Sequence, residues 1–235
     1  MATFVVAHGA WSAAWAWKKM RPLMAARGHA LFTPTYTGLG ERAHLAHPDI
    51  DLDWHIADIA AVLESEDLRE VVLVGHSYGG MVATGVADRM RERIARLVYL
   101  DAFVPRDGEC VFDILPEATR DQRRAATSAD GASIAPGPMP PDTPDDDRQW
   151  AEPRRKPQPL KTFSQKLRLV HGEPSIERHY IYCTRIPPDD RFRPFYERAK
   201  REQWGAYEID ASHNPHITAP DALAELLGRI ARGGA

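Results

Sequence analysis

The chain has few of the features that would tie it together covalently or anchor it to a surface. Its 235 residues include two cysteines, Cys110 and Cys183. Two are too few for a disulfide framework, and these lack the close spacing of metal-ligand pairs, so they read as reduced thiols in a cytosolic setting. Long apolar runs are also missing. No stretch approaches the roughly 20 residues needed to cross a bilayer as a helix. Charge of one sign is scarce too: the formal net charge is -3 and the sequence pI about 6.4. That balance offers no electrostatic pull toward nucleic acid or an anionic membrane, and leaves small molecules as the expected partner class. Strand-like residues begin at Thr3 in MATFVVAHG, so the expectation is a chain with no cleaved leader and a cytoplasmic location. There is no internal repeat, and monomer and homodimer are both open.

What is present is an alternation of strand and helix signals. Short β-branched or aromatic runs mark strands at Thr3 to Ala7, Ala30 to Thr33, Val71 to Val74, Leu97 to Leu100, His179 to Cys183 and Ala206 to Ile209. Apolar residues at helical spacing mark helices at Trp15 to Ala26, Asp53 to Glu66, Tyr78 to Arg93, Phe192 to Gln203 and Pro220 to Arg232. Asp53 and Asp221 suit helix starts, and Gly28 a helix stop. Such alternation implies an α/β fold with a mainly parallel sheet and helices on both faces. Ligands of these sheets sit at the strand C-terminal ends.

One of those ends carries the segment VVLVGHSYGG, residues 71 to 80. A serine between two glycines, where a strand gives way to a helix, is the pattern of a nucleophile elbow. Gly75 and Gly79 allow strand and helix to approach closely, and the bend lifts the Ser77 hydroxyl out of the sheet. The helix that follows directs free N–H groups and a partial positive charge at the place where an oxyanion would form.

A serine nucleophile needs a base, and of the ten histidines His213 has the right setting. It follows the last strand and precedes the last helix, in YEIDASHNPHITAP. His216, three residues on, is read as lining the pocket or packing. For the acid that orients the imidazole the sequence offers two places. Asp101 ends the strand LVYLD next after the elbow helix, and is the preferred choice. Asp189 and Asp190, in CTRIPPDD after the following strand, are the alternative, with helix capping before Phe192 as their structural use. For the oxyanion hole, the turn His8-Gly9-Ala10-Trp11 after the first strand would bring the N–H of Ala10 beside that of Tyr78. Trp11 is a candidate pocket residue.

Between residues 106 and 178 the alternation stops. This stretch is rich in proline from Pro136 to Pro159, with an acidic run Asp145 to Asp147 and a basic run Arg154 to Lys156, both expected to face solvent. Its place between two core strands, at the end where the nucleophile sits, suits a cap or lid better than a passive loop. The core is then 1–105 together with 179–235, and the cap 106–178.

Taken together, HGAW, TPTYTGLGERAHL, LVGHSYGG, LVYLDAFVP, YIYCT and SHNPHITAP resemble one branch of the α/β-hydrolase superfamily, that of the plant methylesterases, the hydroxynitrile lyases and the bacterial pyrethroid-hydrolysing carboxylesterases. The resemblance implies an α/β-hydrolase fold with a six-stranded core and an inserted cap, no cofactor or metal, and ester hydrolysis with Ser77, His213, Ala10 and Tyr78 in the roles of nucleophile, base and oxyanion donors. Two departures stand out. Where relatives carry the acid after the YIYCT strand, this chain has Arg185 or Ile186. Hydroxynitrile lyases use a threonine and a lysine where this chain has Gly9 and Asn214, which speaks against cyanohydrin cleavage. The expectation is a serine carboxylesterase acting on small hydrophobic esters through an acyl-enzyme. The alternatives are a cyclase, thioesterase or lyase built on the same site, or a small-ligand binding protein with little turnover.

Overall fold

The computed structural model describes residues 1–185 and 190–233. In chain order the first elements are β1 (Thr3–Ala7), α1 (Met20–Ala26), β2 (Ala30–Phe32), α2 (Leu52–Ser65), β3 (Val71–His76), α3 (Gly79–Arg89) and β4 (Ile94–Leu100). The inserted stretch follows, with α4 (Val111–Ile114), α5 (Glu117–Ala125), β5 (Ser133–Ile134), α6 (Asp145–Ala151), β6 (Gln158–Pro159) and α7 (Lys161–Ser164). The core resumes with β7 (Glu177–Cys183), α8 (Arg193–Arg201), β8 (Gly205–Ile209), α9 (Pro215–Thr218) and α10 (Pro220–Ala231).

Six strands form one sheet in the order β2-β1-β3-β4-β7-β8, with every neighbouring pair parallel. Side chains alternate across such a sheet, and this alternation sorts the apolar residues into two cores. Val5, Val71, Leu73, Leu97, Tyr99, Tyr180 and Tyr182 face α2, α3 and α8. Phe4, Val6, Val72, Val74, Val98, Leu100, Ile181 and Cys183 face α1 and α10. β3 and β4 are apolar on both faces because helices cover both sides. The strands therefore read as continuous hydrophobic runs, with the polar residues left at their ends.

The element boundaries depart from the sequence reading where local chemistry intervenes. The helix expected from Trp15 is a 3₁₀ turn at Ala14–Trp17 followed by α1. Pro22 explains the break, since its missing N–H and its ring fit only the first turn of a helix. The helix expected to reach Arg93 stops at Arg89, and a 3₁₀ turn spans Arg91–Arg93. Asp51, not Asp53, caps α2: its side chain accepts the Trp54 N–H, while Asp53 pairs with Arg89. β7 begins at Glu177, two residues before the boundary drawn from the pattern.

The insertion is packed on the core along its length. Asp147 pairs with Lys19, and the buried Asp88 carboxylate of α3 accepts the N–H groups of Val170 and His171 at 2.7 and 2.8 Å. The charge runs expected to lie in solvent do so only in part, because Asp147 makes that ion pair and Arg155 is half-buried, 6.0 Å from the Trp11 ring. Among the described residues no helix is long and apolar enough to cross a membrane.

Candidate active site

Three neighbouring strand ends supply the site, and each does so through a residue in the left-handed region of backbone space. Trp11 follows β1 with φ 58°, Ser77 follows β3 with φ 55°, and Asp101 follows β4 with φ 41°. Such a backbone costs a non-glycine residue about 1–3 kcal/mol and persists only where its surroundings hold it. Around Ser77 they do: its N–H donates to Leu100 O at 3.2 Å, and its own carbonyl accepts from Gly80 at 3.1 Å and Phe103 at 3.2 Å. Around Asp101, the N–H donates to Ile181 O at 2.8 Å. The buried Tyr180 hydroxyl accepts the next N–H, that of Ala102, at 3.1 Å.

Close packing makes the elbow possible. A Cβ on Gly79 would come 2.0 Å from Ala7 O, and one on Gly80 would come 2.0 Å from Phe103 O. Both are backbone atoms that cannot step aside, so the first turn of α3 lies directly against the ends of β1 and β4. The Ser77 side chain emerges above this junction.

His213 arrives from the segment after β8. Its Nε2 is 2.9 Å from Ser77 Oγ and its Nδ1 is 2.6 Å from Asp101 Oδ2. An ionised carboxylate only accepts, so Nδ1 carries the proton, and Nε2 is left to accept the serine hydroxyl. The second carboxylate oxygen of Asp101 takes the Cys183 N–H at 3.3 Å. Phe192 lies flat against the imidazole, with ring centroids 4.9 Å apart and planes 9° from parallel. Ser77, His213 and Asp101 thus form one continuous chain of hydrogen bonds.

Asp190 is engaged elsewhere. It accepts from Tyr182 at 2.6 Å and from the Arg193 side chain at 2.7 Å. Its other oxygen takes the Arg193 N–H at 3.1 Å, at the start of α8. The N-cap position of α8 is Phe192, without a side-chain cap, so Asp190 holds the helix start from two residues further upstream. Asp189 lies outside the described residues.

The N–H groups of Ala10 and Tyr78, the expected oxyanion donors, make no hydrogen bond among the described residues. The direction of the first is set by a side chain that sequence reasoning passed over. His8, 1 % exposed, has Nδ1 2.9 Å from Gly9 O, and its Nε2 accepts the Tyr36 N–H at 3.2 Å. A trans peptide points its carbonyl and its N–H in opposite directions. Holding Gly9 O on one side therefore aims the Ala10 N–H to the other. Burial lowers His8 to about 4, so it stays neutral in this role.

Beside it, the Tyr78 hydroxyl is 3.0 Å from Nδ1 of the buried His55, whose Nε2 is 3.2 Å from Thr37 O. A carbonyl accepts only, so the proton sits on Nε2 and Nδ1 accepts from the tyrosine. Burial lowers His55 to about 3. In sequence, His8 stands in HGAW and His55 in the α2 pattern, where nothing distinguishes a hydrogen-bonding histidine from a packed one.

The two pocket candidates part company. Trp11 is half-buried, with its N–H on Gln158 Oε1 at 3.1 Å and its indole N–H on Ile134 O at 2.9 Å, both in the insertion. Phe163 of α7 stacks on Tyr78 at 5.6 Å and lies 5.8 Å from Trp11. His216 is not a pocket wall. It is 1 % exposed and stacks on Trp17 at 4.6 Å. Burial lowers it to about 3. Two surface clefts, one around Thr37, Arg42, Trp54 and Asp58 and one around Glu177, His179, Trp204 and Tyr207, include neither Ser77 nor His213. Among the described residues no group of three or more histidine, cysteine or acidic side chains could hold a metal ion.

Comparison with known proteins agrees with this architecture. A sequence model described as the alpha/beta hydrolase family matches residues 4–226. The carbendazim hydrolyzing esterase of Nocardioides sp. (strain SG-4G) is 37% identical, across 98% of this chain and 100% of that protein. Methylesterase 9 of Arabidopsis thaliana is 26% identical, over 98% of each chain. Among solved structures, an extracellular alpha/beta-hydrolase from a Paenibacillus species superposes with a TM-score of 0.83 at 27% identity, covering 97% of this chain and 98% of the other. It is described as sharing structural and functional homology with tobacco salicylic acid binding protein 2.

Proposed function

The chain belongs to the alpha/beta hydrolase family, and from there we propose that it is a serine carboxylesterase that cleaves small hydrophobic esters through an acyl-enzyme intermediate. The observation that carries this reading is the run of contacts from Asp101 through His213 to Ser77 Oγ, at 2.6 and 2.9 Å.

The chemistry follows from that order. As Ser77 Oγ attacks the acyl carbon, its proton passes to His213 Nε2, and Asp101 stabilises the resulting imidazolium without taking the proton. Negative charge on the former carbonyl oxygen is met by the N–H groups of Ala10 and Tyr78, each worth about 3 kcal/mol when preorganised. The C–O bond to the alcohol breaks, His213 returns the proton to the departing oxygen, and Ser77 is left acylated. Water then repeats the sequence, its proton passing through His213, and the acid is released.

The ester class is inferred from the surroundings. Trp11 is half-buried and is tied by hydrogen bonds to Gln158 and Ile134, so aromatic surface adjoins the inserted residues 106–178, which we read as a cap over the acyl or alcohol group. The names of the relatives, an esterase for carbendazim and a methylesterase, point to small alcohol groups. His213 is followed by Asn214, where the hydroxynitrile lyases carry a lysine, which speaks against cyanohydrin cleavage.

A panel of aryl and alkyl esters, with alcohol and acid both quantified, tests the reaction type. The expectation is equimolar release of the two products by the native protein. In Ser77→Ala the rate should fall by at least about 10⁴-fold with the fold intact. Product of altered skeleton without hydrolysis, or turnover that survives Ser77→Ala, would contradict the reading.

A further inference from the structure

His76 stands immediately before Ser77 and takes no part in the steps above, yet its ring lies between the Gly9 turn and the segment that carries His213. It is 3 % exposed. Its Nε2 lies 2.8 Å from the main-chain carbonyl of His213. Since a carbonyl only accepts, the Nε2 proton is fixed and donates there. Nδ1 is then a bare acceptor, buried and without a partner among the described residues. That edge of the ring faces the oxyanion loop: a Cβ built on Gly9 would lie 2.9 Å from His76 Nδ1, 3.2 Å from Cε1 and 3.3 Å from Ser77 Cβ. Only a hydrogen fits between Gly9 and the ring. On the far side His216 packs edge-on, with centroids 4.6 Å apart. Burial holds His76 well below the usual imidazole range, and the neighbouring His216 and His213 add to this, so the ring is neutral and keeps the tautomer just described.

We propose that His76 is a positioning residue that fixes the spacing of the nucleophile, the base and the oxyanion loop. Through Nε2–H it holds the backbone of His213, and with it the imidazole that must stay in reach of Ser77 Oγ. Through its Nδ1 edge it sets how closely Gly9, and hence the Ala10 N–H, can approach the serine. An inert filler of the same volume would keep Gly9 at its distance but would leave the backbone of His213 unheld. The inference rests on the esterase reading of Ser77 and His213.

Two substitutions separate the roles. His76→Leu keeps apolar bulk and loses the donor, while in His76→Gln the side-chain amide reaches the position of Nε2 and can still donate to the His213 carbonyl. On an aryl ester, His76→Leu should lose about 10- to 100-fold in kcat, the scale expected when reacting groups drift by up to an ångström. Its KM should stay within about 2-fold, and its labelling by a fluorophosphonate should slow in step with kcat. His76→Gln should recover most of the loss. A folded His76→Leu with native kcat, or a His76→Gln as impaired as His76→Leu, would overturn the proposal.

If His76→Leu does not fold, Gly9→Ala supplies the second arm. The added methyl meets the ring in the native background and should lower kcat, but should cost little more when combined with His76→Gln, whose flexible chain can yield. Fully additive losses would overturn the proposal. Labelling of the native protein at Ser77, measured alongside, separates the two levels. Its absence would remove the esterase reading and this inference with it, whereas native labelling with indifferent variants removes this inference alone.

Discussion

At the scale of single residues, the site depends on two side chains held in costly backbone conformations. Ser77 and Asp101, at φ 55° and 41°, sit at the ends of paired strands, and the same hydrogen bonds that pay for that strain aim both side chains at His213. Ser77 and His213 were legible as candidates because each has a marked setting, a glycine-flanked strand end and a segment between the last strand and the last helix. The acid was less legible. Asp101 and Asp190 both follow strands, and only the pairing of β4 with β7 and the path of His213 decide which carboxylate meets the imidazole. In the structure Asp101 is 2.6 Å from His213 Nδ1, while Asp190 is taken up by Tyr182 and Arg193. Asp101→Asn should therefore lower kcat by about 10⁴-fold, by disturbing the tautomer. Asp190→Asn should lower it by less than about 10-fold, with the loss confined to anchoring α8. Steady-state kinetics on one ester checks both, and equal, mild losses would deny Asp101 its role. His8 and His55 escaped the sequence reading because most of their partners are backbone groups, which carry no residue signature, and the one side-chain partner, Tyr78 on His55, is distant in the chain.

At the scale of elements, the contact of α3 with β1 and β4 governs whether the elbow can form. The Gly80 position lies against Phe103 O with no room for a methyl group. Gly80→Ala should destabilise the fold by about 3 kcal/mol or more, since overpacking against backbone has no cheap relief. Urea unfolding at unchanged slope measures this directly, and a midpoint equal to the native one would show that the helix can shift freely. The six core strands were legible from short hydrophobic runs and the longer core helices from apolar residues at helical spacing, while the short α9 (Pro215–Thr218) was not. Boundaries were not, because they turn on single residues such as Pro22, which restarts the first helix, and Asp51, which caps the second. The insertion was hardest to read. Its α-helices are four to nine residues long and its strands two, too short for a period to show. What anchors it are contacts such as Gln158 to Trp11 and Asp88 to His171, far apart in sequence.

At the scale of the whole molecule, an unusual share of the polar interior is neutral imidazole. His8 is lowered to about 4, and His55 and His216 to about 3, in each case chiefly by burial. The unfolded chain would bind protons at these positions near the ordinary value of 6.5, so between pH 6.5 and about 3 to 4 it holds more protons than the folded chain. Stability is therefore fully present above pH 6.5 and falls as pH drops, by about 1 kcal/mol per pH unit for each histidine well inside the window. Thermal denaturation from pH 8 to 4 should show a Tm that is nearly flat at first and then falls steeply below 6.5. A Tm independent of pH down to 4 would mean that these rings are not buried neutral. The parallel sheet that gathers Trp11, Ser77, Asp101 and His213 at the C-terminal ends of its strands was legible in outline, but which residues meet there is a property of the assembled strand order. The most direct test of that convergence is to treat the native protein with a fluorophosphonate and map the modified peptide. A single adduct on Ser77, formed much more slowly in His213→Ala, is what this account predicts; no adduct, an adduct on another residue, or a labelling rate indifferent to His213 would contradict it.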